Sequence, residues 1–255
     1  VDDVLMVNGV QPDFILLNND LTDEGLQGLS SGHILPNPKM GWHKRKKSMH
    51  FEHLRPLIEE VCEIIDIEPW YLLCDSFVSE KKCLEKETCR VKLAEEVDVF
   101  IGLLSERYQS LGLKREPVVY VKNNRGTYGL GIMTVTSGQQ LLNLSNRKMK
   151  KLMYGKGTTD VEDFLIQEGV PTLMKTEDGF PVEPVVYLVD GDASSWFYRV
   201  NPKRDDIGNL NSPSAQFVTS DQEPSYMTHA HNWHALVAEL SMLAMGLELE
   251  AMKTS

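Results

Sequence analysis

From Val118 to Val135 the chain reads VVYVKNNRGTYGLGIMTV: an apolar strand that closes on Lys122, a turn carrying Gly126, Gly129 and Gly131, and a second apolar strand. This segment constrains the fold more than any other. Two β-favouring runs on either side of a glycine-rich turn read as a hairpin within a sheet. Glycine reaches positive φ and lets other groups approach the backbone closely, so successive N–H groups can point at phosphate oxygens. Lys122 sets a compact cation beside them. The pattern is neither G-x-x-x-x-G-K-[ST] nor a dinucleotide fingerprint, because no helix follows the glycines. An ordinary hairpin loop would carry the same glycines; the lysine closing the strand is what favours phosphate.

The remainder of the 255 residues mixes helical and strand patterns. Residues 13–17 (DFILL) predict a short strand. Leu54, Leu57, Ile58, Val61, Ile64 and Ile65 recur at helical spacing and predict a helix over about 50–66, with Pro56 tolerated in its first turn. Val97, Ile101, Leu104, Tyr108 and Leu111 predict a second over about 90–112, ended by Gly112. Helical signals return over about 138–153 and 231–247, and strands are predicted at 117–122, 132–135, 163–168, 183–189 and 194–200. Short-spaced strands with helices between them give an α+β class. The length allows one large domain or two small ones.

Hydrophobic residues at 42% and charged residues at 25% exclude a disordered tail, a collagen-like fibre and a disulfide-dense miniprotein. A net charge of −11 argues against nucleic acid as a partner. The run His43-Lys44-Arg45-Lys46-Lys47 goes the other way and reads as a solvated face or a helix start. No stretch approaches the ~20 apolar residues that span a bilayer. Cys62, Cys74, Cys83 and Cys89 include no C-x-x-C pair, so reduced thiols and a cytoplasmic protein with no membrane partner are expected. The chain starts at Val1 rather than Met, and an N-terminal region ahead of it is expected. His229-x-His231-x-x-His234 is poorly spaced for one helix face and has no Cys or acidic companion, so a polar helix start is preferred to zinc. His50 and His53 read as helix surface.

Further segments form an ordered set after Lys122. They are Leu165-Ile-Gln-Glu-Gly-Val170, Glu183-Pro-Val-Val-Tyr-Leu-Val-Asp-Gly191, Trp196-Phe-Tyr-Arg-Val200 and Gly208-Asn-Leu-Asn211. The order lysine, glycine loop, hinge, acidic strand, arginine strand, asparagine loop resembles the ATP-grasp superfamily. Within it, VKNNRGTYGLGIMTV, IQEGVPT, EPVVYLVD with FYRV, and NLNSP resemble the small proteobacterial glutamate–cysteine ligases over most of residues 10–250. The resemblance implies an ATP-grasp-like fold of mixed and antiparallel sheets with flanking helices. It implies a remnant and helical linker at 1–112, a small subdomain with the lysine, glycine loop and hinge at 113–170, and a C-terminal subdomain at 171–255. The implied activity is ATP- and Mg²⁺-dependent ligation of the glutamate γ-carboxylate, through an acyl phosphate, to cysteine, the first step of glutathione biosynthesis. Another carboxylate–amine ligase such as a glutathione synthetase, or a non-catalytic nucleotide-binding module, is the alternative.

By the same resemblance, Lys122 and the loop residues Gly126, Thr127, Tyr128, Gly129 and Gly131 would hold the phosphates. Lys47, or else Lys44 or Lys46, would reach the α-phosphate. The backbone of Glu168 and Val170, with Gln167 beside them, would meet adenine. Glu183 and Asn209, with Asn211, are oxygen ligands of the kind that suits Mg²⁺. Arg199 and Arg204, acting with Lys122, would hold a substrate carboxylate or the γ-phosphate in a planar fork. The family's acidic strand after the last helix has only Leu247-Glu-Leu-Glu250 as a counterpart, which leaves Glu183 and the Asn loop to carry the metal.

Overall fold

In the computed structural model, residues 5–19, 21, 33–42, 44–125, 131–153, 163–219 and 228–254 are described. Chain order runs β1 (Phe14–Leu16), β2 (His33–Leu35), α1 (Lys47–Ile65), β3 (Ser76–Ser79), α2 (Glu87–Ser110), β4 (Val119–Asn123), β5 (Ile132–Val135), α3 (Gln139–Leu142), α4 (Asn146–Met153), β6 (Phe164–Glu168), β7 (Val182–Val189), β8 (Asp192–Val200), β9 (Gln216–Thr219) and α5 (Thr228–Thr254). A parallel β1-β2 pair stands apart from two antiparallel sheets, β3-β6-β4-β5 and β7-β8-β9. The α+β class read from strand and helix spacing is the one found.

The first sheet is built on the alternation of β4. Val119 and Val121 are fully buried against Leu93, Val97, Phe100 and Leu104 of α2, with Phe164 and Ile166 of β6 beside them. Each such aliphatic side chain contributes about 1.5–3 kcal/mol when removed from water. The left-handed Gly112, at φ 69°, ends α2, and the Leu113 N–H returns to the Tyr108 carbonyl at 2.8 Å. Strand β3 and helix α2, both ahead of residue 113, share a sheet and a core with β4 and β6. Strands β2, β3 and β9, of three or four residues each, are not expected from the sequence.

Helix α1 starts three residues earlier than its apolar spacing suggests. Its N-cap, Lys46, makes no side-chain cap. Instead the Lys47 N–H bonds the Asn124 carbonyl at 2.9 Å and the Ser48 N–H bonds Asn124 Oδ1 at 3.0 Å. Two of the four amides that a helix start leaves unpaired are thus satisfied from the glycine turn. Pro56 is not in the first turn but inside the helix. It and Glu52, four residues before it, whose carbonyl loses its helical donor, are both exposed. Asp66, left-handed at φ 56°, closes the C-terminus, with Ile67 N–H on the Cys62 carbonyl at 3.0 Å.

Helix α5 runs to Thr254, through Gly246 and the Leu247–Glu250 segment expected to be an acidic strand. Its residues Leu240 and Ala244 pack on Leu54, Ile58 and Cys62 of α1. Glu248 is fully buried and takes a bidentate grip from Arg45, Nε and Nη2 both at 2.9 Å, plus His50 Nδ1 at 2.7 Å. His50 Nε2 also contacts Ser241 Oγ at 2.9 Å. The basic run is the helix start that its residues allow, with Lys44 exposed, but Arg45 and His50 are not solvated surface: Arg45 is buried, and its guanidinium also lies over the Trp42 ring at 5.1 Å. Burial alone would raise the Glu248 carboxyl, but the hydrogen bonds from His50 and Arg45 hold it below its ordinary range. Among the described residues no helix is long and apolar enough to cross a membrane.

Glu248→Ala leaves the Arg45 guanidinium buried without its partner, and urea denaturation should show a loss of about 3–5 kcal/mol. Because the folded-state carboxyl is depressed, its contribution is present above the unfolded pKa and disappears as pH falls through the folded value. The acid limb of the wild-type stability curve should accordingly be steeper than that of Glu248→Gln.

Candidate active site

Alternation in β4 also decides where the site faces. With Val119 and Val121 turned to α2, Tyr120 and Lys122 point the other way, into a cleft of about 190 Å³. The opposite wall carries Glu183 from β7 and Asp206, Gly208 and Asn209 from the loop after β8, with Val170 and Thr172 between. Four expected site residues, Lys122, Val170, Glu183 and Asn209, are thereby brought together from four separate stretches of chain.

Two lysines sit at the glycine turn. Lys47 Nζ donates to the Asn123 carbonyl at 2.7 Å. Burial, and then the nearby Lys122 charge, bring its ammonium down to about 8. Burial likewise lowers Lys122, partly offset by Cys74. Lys122 Nζ lies 5.0 Å from the centre of the Tyr120 ring and donates to Gln167 Oε1, while Gln167 Nε2 donates to Cys74 Sγ at 2.7 Å. Of the other basic residues in the run, Lys46 is paired with Asp163 at 2.9 Å and Arg45 with Glu248.

The turn itself is pinned at both ends. Asn123 N–H bonds the Gly131 carbonyl at 2.7 Å, and its buried side chain accepts from Arg125 N–H at 2.8 Å. Gly131 has φ 67°, and a Cβ there would lie 2.8 Å from Asn123 Cβ, so only glycine fits. Gly126, Thr127, Tyr128 and Gly129 lie outside the described residues. Asn124 Nδ2 reaches Ser48 Oγ at 3.0 Å, which completes the tie to α1.

At the hinge, Glu168 turns its fully buried side chain to the α2 face, away from the cleft. It accepts from Tyr108 OH at 2.7 Å, Trp70 Nε1 at 2.8 Å and Asp75 N–H at 3.2 Å, with Arg115 Nη2 at 3.9 Å. Its own N–H is bonded to the Asp75 carbonyl at 2.9 Å, so that amide is not open to a ligand. Val170 is exposed in the cleft.

On the far wall, Arg199 Nη1 on β8 donates to Oε1 of Glu183, its directly paired neighbour on β7. Asn209 Nδ2 bonds the Asn211 carbonyl at 3.2 Å, and Asn211 N–H returns to Asn209 Oδ1 at 3.2 Å. Asn209 lines the cleft; Asn211 is exposed and does not, and Arg204 is likewise exposed outside it. Among the described residues no three His, Cys, Asp or Glu side chains cluster as a metal cage. Mg²⁺ seldom needs one, since it keeps several waters and takes one or two carboxylates together with substrate phosphates. The oxygens of Glu183, Asp206 and Asn209 fit that mode. His231, one of the clustered histidines, stacks on Trp196 at 4.4 Å and bonds the Tyr198 hydroxyl.

Sequence reasoning passed over Tyr120, Asn123, Asn124 and Asp206. The period of two along β4 was a sufficient signal for Tyr120, which shares a face with Lys122. Nothing local marks Asn124 or Asp206, whose roles depend on segments far away in the chain.

The structure is similar to a crystal structure from Methylobacillus flagellatus KT, of a protein whose assignment as a gamma-glutamylcysteine synthetase is provisional. The two agree with a TM-score of 0.83 at 30% identity over 98% of this chain and 62% of that one. The present chain thus spans less than two thirds of that neighbour's length. D-alanyl-alanine synthetase A from Vibrio cholerae O1 biovar eltor str. N16961 aligns with a TM-score of 0.34 and 12% identity, covering 84% of this chain and 57% of that one. No curated protein matches the chain at a significant level. The family model described as GshA, glutamate-cysteine ligase, matches residues 1–249, and the chain belongs to that family.

Proposed function

We propose that this chain carries the nucleotide site of an ATP-dependent ligase that joins the γ-carboxylate of glutamate to the amine of cysteine. The observation that carries the reading is the cleft, where Lys122 and Tyr120 meet Glu183 and Asn209 around one small space. Family membership and the Methylobacillus neighbour support the choice of amino acids. Phosphoryl transfer asks little covalent chemistry of a protein; it needs positioning and cations around negative charge that spreads over oxygens.

Each wall then has a task. Lys122 and Lys47 hold the phosphates as point charges, with the amides of Gly126 to Gly131 beside them. The Val170 backbone and the Glu168 carbonyl present the hinge edge to adenine, and Gln167 holds the Lys122 side chain. Glu183 and Asn209 supply oxygen ligands for Mg²⁺, to which the structure adds Asp206 as a candidate. When bound, Mg²⁺ neutralises phosphate charge and ATP activates the carboxylate as an acyl phosphate, which the cysteine amine attacks with release of phosphate. Arg199, held by Glu183, would meet a substrate carboxylate, and Arg204, exposed outside the cleft, would need to swing inward to do so. The three-part division at 112 and 170 is retained only in its second boundary, where the hinge strand β6 ends and the second sheet begins.

Phosphate release should require ATP, glutamate and cysteine together, and Lys122→Ala should lower kcat by about 10²–10³-fold, the usual effect of removing one preorganised charge partner. Release with γ-glutamylcysteine and glycine but not with glutamate and cysteine would contradict the choice of substrates. Nucleotide-dependent thermal stabilisation with no release under any pair would contradict catalysis.

Binding should also depend on pH through Lys47. A bound triphosphate favours the ammonium form, so a group that titrates at about 8 in the empty site takes up a proton on binding. Affinity is therefore greatest below pH 8 and falls above it, by at most about tenfold per pH unit for a single proton. Calorimetry in buffers of different ionisation enthalpy reads the proton uptake directly. Equal affinity at pH 7 and pH 9 would show that Lys47 does not contact the phosphates.

A further inference from the structure

The two walls of the cleft belong to different sheets, and one side chain bridges them at the lysine. The Tyr120 hydroxyl donates to the Ile207 carbonyl, on the loop that carries Gly208 and Asn209. The same loop is held on its other side by Thr172, whose N–H bonds the Asp206 carbonyl at 2.9 Å and whose Oγ1 bonds the Val182 carbonyl at 2.6 Å. Tyr120 also lies beneath Lys122, with Nζ 5.0 Å from the ring centre. On β6 its register partner is Gln167, which accepts from Lys122. One aromatic residue thus touches both the cation of one wall and the backbone of the other. Burial, with Asp205 and Glu183 next, pushes its phenol up to about 12, so the hydroxyl remains a donor throughout the working pH range.

We propose that Tyr120 is a positioning residue that latches the Asn209 loop to the Lys122 strand, its hydroxyl fixing the width of the nucleotide cleft and its ring fixing the lysine. The inference rests on the reading of the cleft as the nucleotide site. A carbonyl acceptor makes the latch independent of the side chain at position 207. The geometry also separates the two jobs of Tyr120. The hydroxyl sets how well the far wall meets a bound nucleotide before and during reaction alike, which is uniform binding and appears in KM. The ring sets the direction of the ammonium that must meet the reacting phosphate, which appears in kcat.

Tyr120→Phe keeps the ring and deletes the latch. Its KM for MgATP should rise about tenfold, the size of one net hydrogen bond, with kcat within about twofold of wild type. Tyr120→Leu removes the ring as well, and kcat should fall at least about tenfold further. A tyrosine that served only packing would lower the melting temperature and the fraction of active protein without moving KM. Wild-type KM in Tyr120→Phe, read below the melting temperature of the variant, would overturn the latch. Equal kcat in the Phe and Leu variants would overturn the role of the ring. Lys122→Ala, assayed in parallel, separates the two levels: if it turns over like wild type, the cleft is not the site, whereas an inactive Lys122→Ala beside an unchanged Tyr120→Phe defeats only the latch.

Discussion

Two ammonium groups held partly out of water beside one another are the constraint around which this molecule is arranged. Lys47 and Lys122 repel and are both desolvated, so each must be fixed by neighbours that offer oxygen without neutralising it. Lys47 rests on a backbone carbonyl and Lys122 on a side-chain amide, both neutral acceptors. Among the described residues Lys122 has no carboxylate within ion-pair distance; its acceptor is the neutral Gln167 amide. Carboxylates are engaged one and two positions before Lys47, with Asp163 on Lys46 and Glu248 on Arg45. That arrangement leaves a positive site whose most favourable partner would be an incoming anion.

The fold can be read outward from that pair. Asn124 caps α1 and so sets where Lys47 begins its helix. Arg45, locked on Glu248, binds the segment before α1 to the far end of α5, and the packing of α1 on α5 holds the whole assembly behind the lysine. On the other side, α2 buries Val119 and Val121, which leaves Lys122 no face but the cleft. The buried Glu168 gathers Trp70, Asp75 and Tyr108 on the back of the same sheet, where a carboxylate without those donors would cost several kcal/mol. Burial and that carboxylate push the Tyr108 phenol above its ordinary range, so it stays protonated, donating to Glu168 and accepting from Arg115 Nη2 at 3.1 Å.

What was legible in the sequence were features with a short period. The apolar runs of β4 and β6, the helical rows of α1 and α2 and the stop at Gly112 are all written within a few residues of where they act. The misplaced boundaries have one cause. Helix α1 begins early because of a residue 76 positions away, and Glu248 is helical and buried because of one 203 positions away. Residues 247–250 are set beside the family's acidic strand only through the resemblance, and helix α5 runs on through them. His50 and the basic run read as surface because charge usually means solvent, and a reciprocal pairing of Arg with Glu across the whole chain has no local signature. For the site, residue types were legible while their use was not: Glu183 and Arg199 engage each other directly, and Arg204 and Asn211 stay outside the cleft.

The measurement that bears most directly on the central claim follows the oxygen atoms. Turnover of glutamate labelled with ¹⁸O in its γ-carboxylate, in the presence of ATP and cysteine, should transfer one labelled oxygen to the released phosphate, because attack on an acyl phosphate leaves the bridging oxygen with phosphorus. ³¹P resonance shifts read the label. Unlabelled phosphate, or release of pyrophosphate and AMP in its place, would contradict the account.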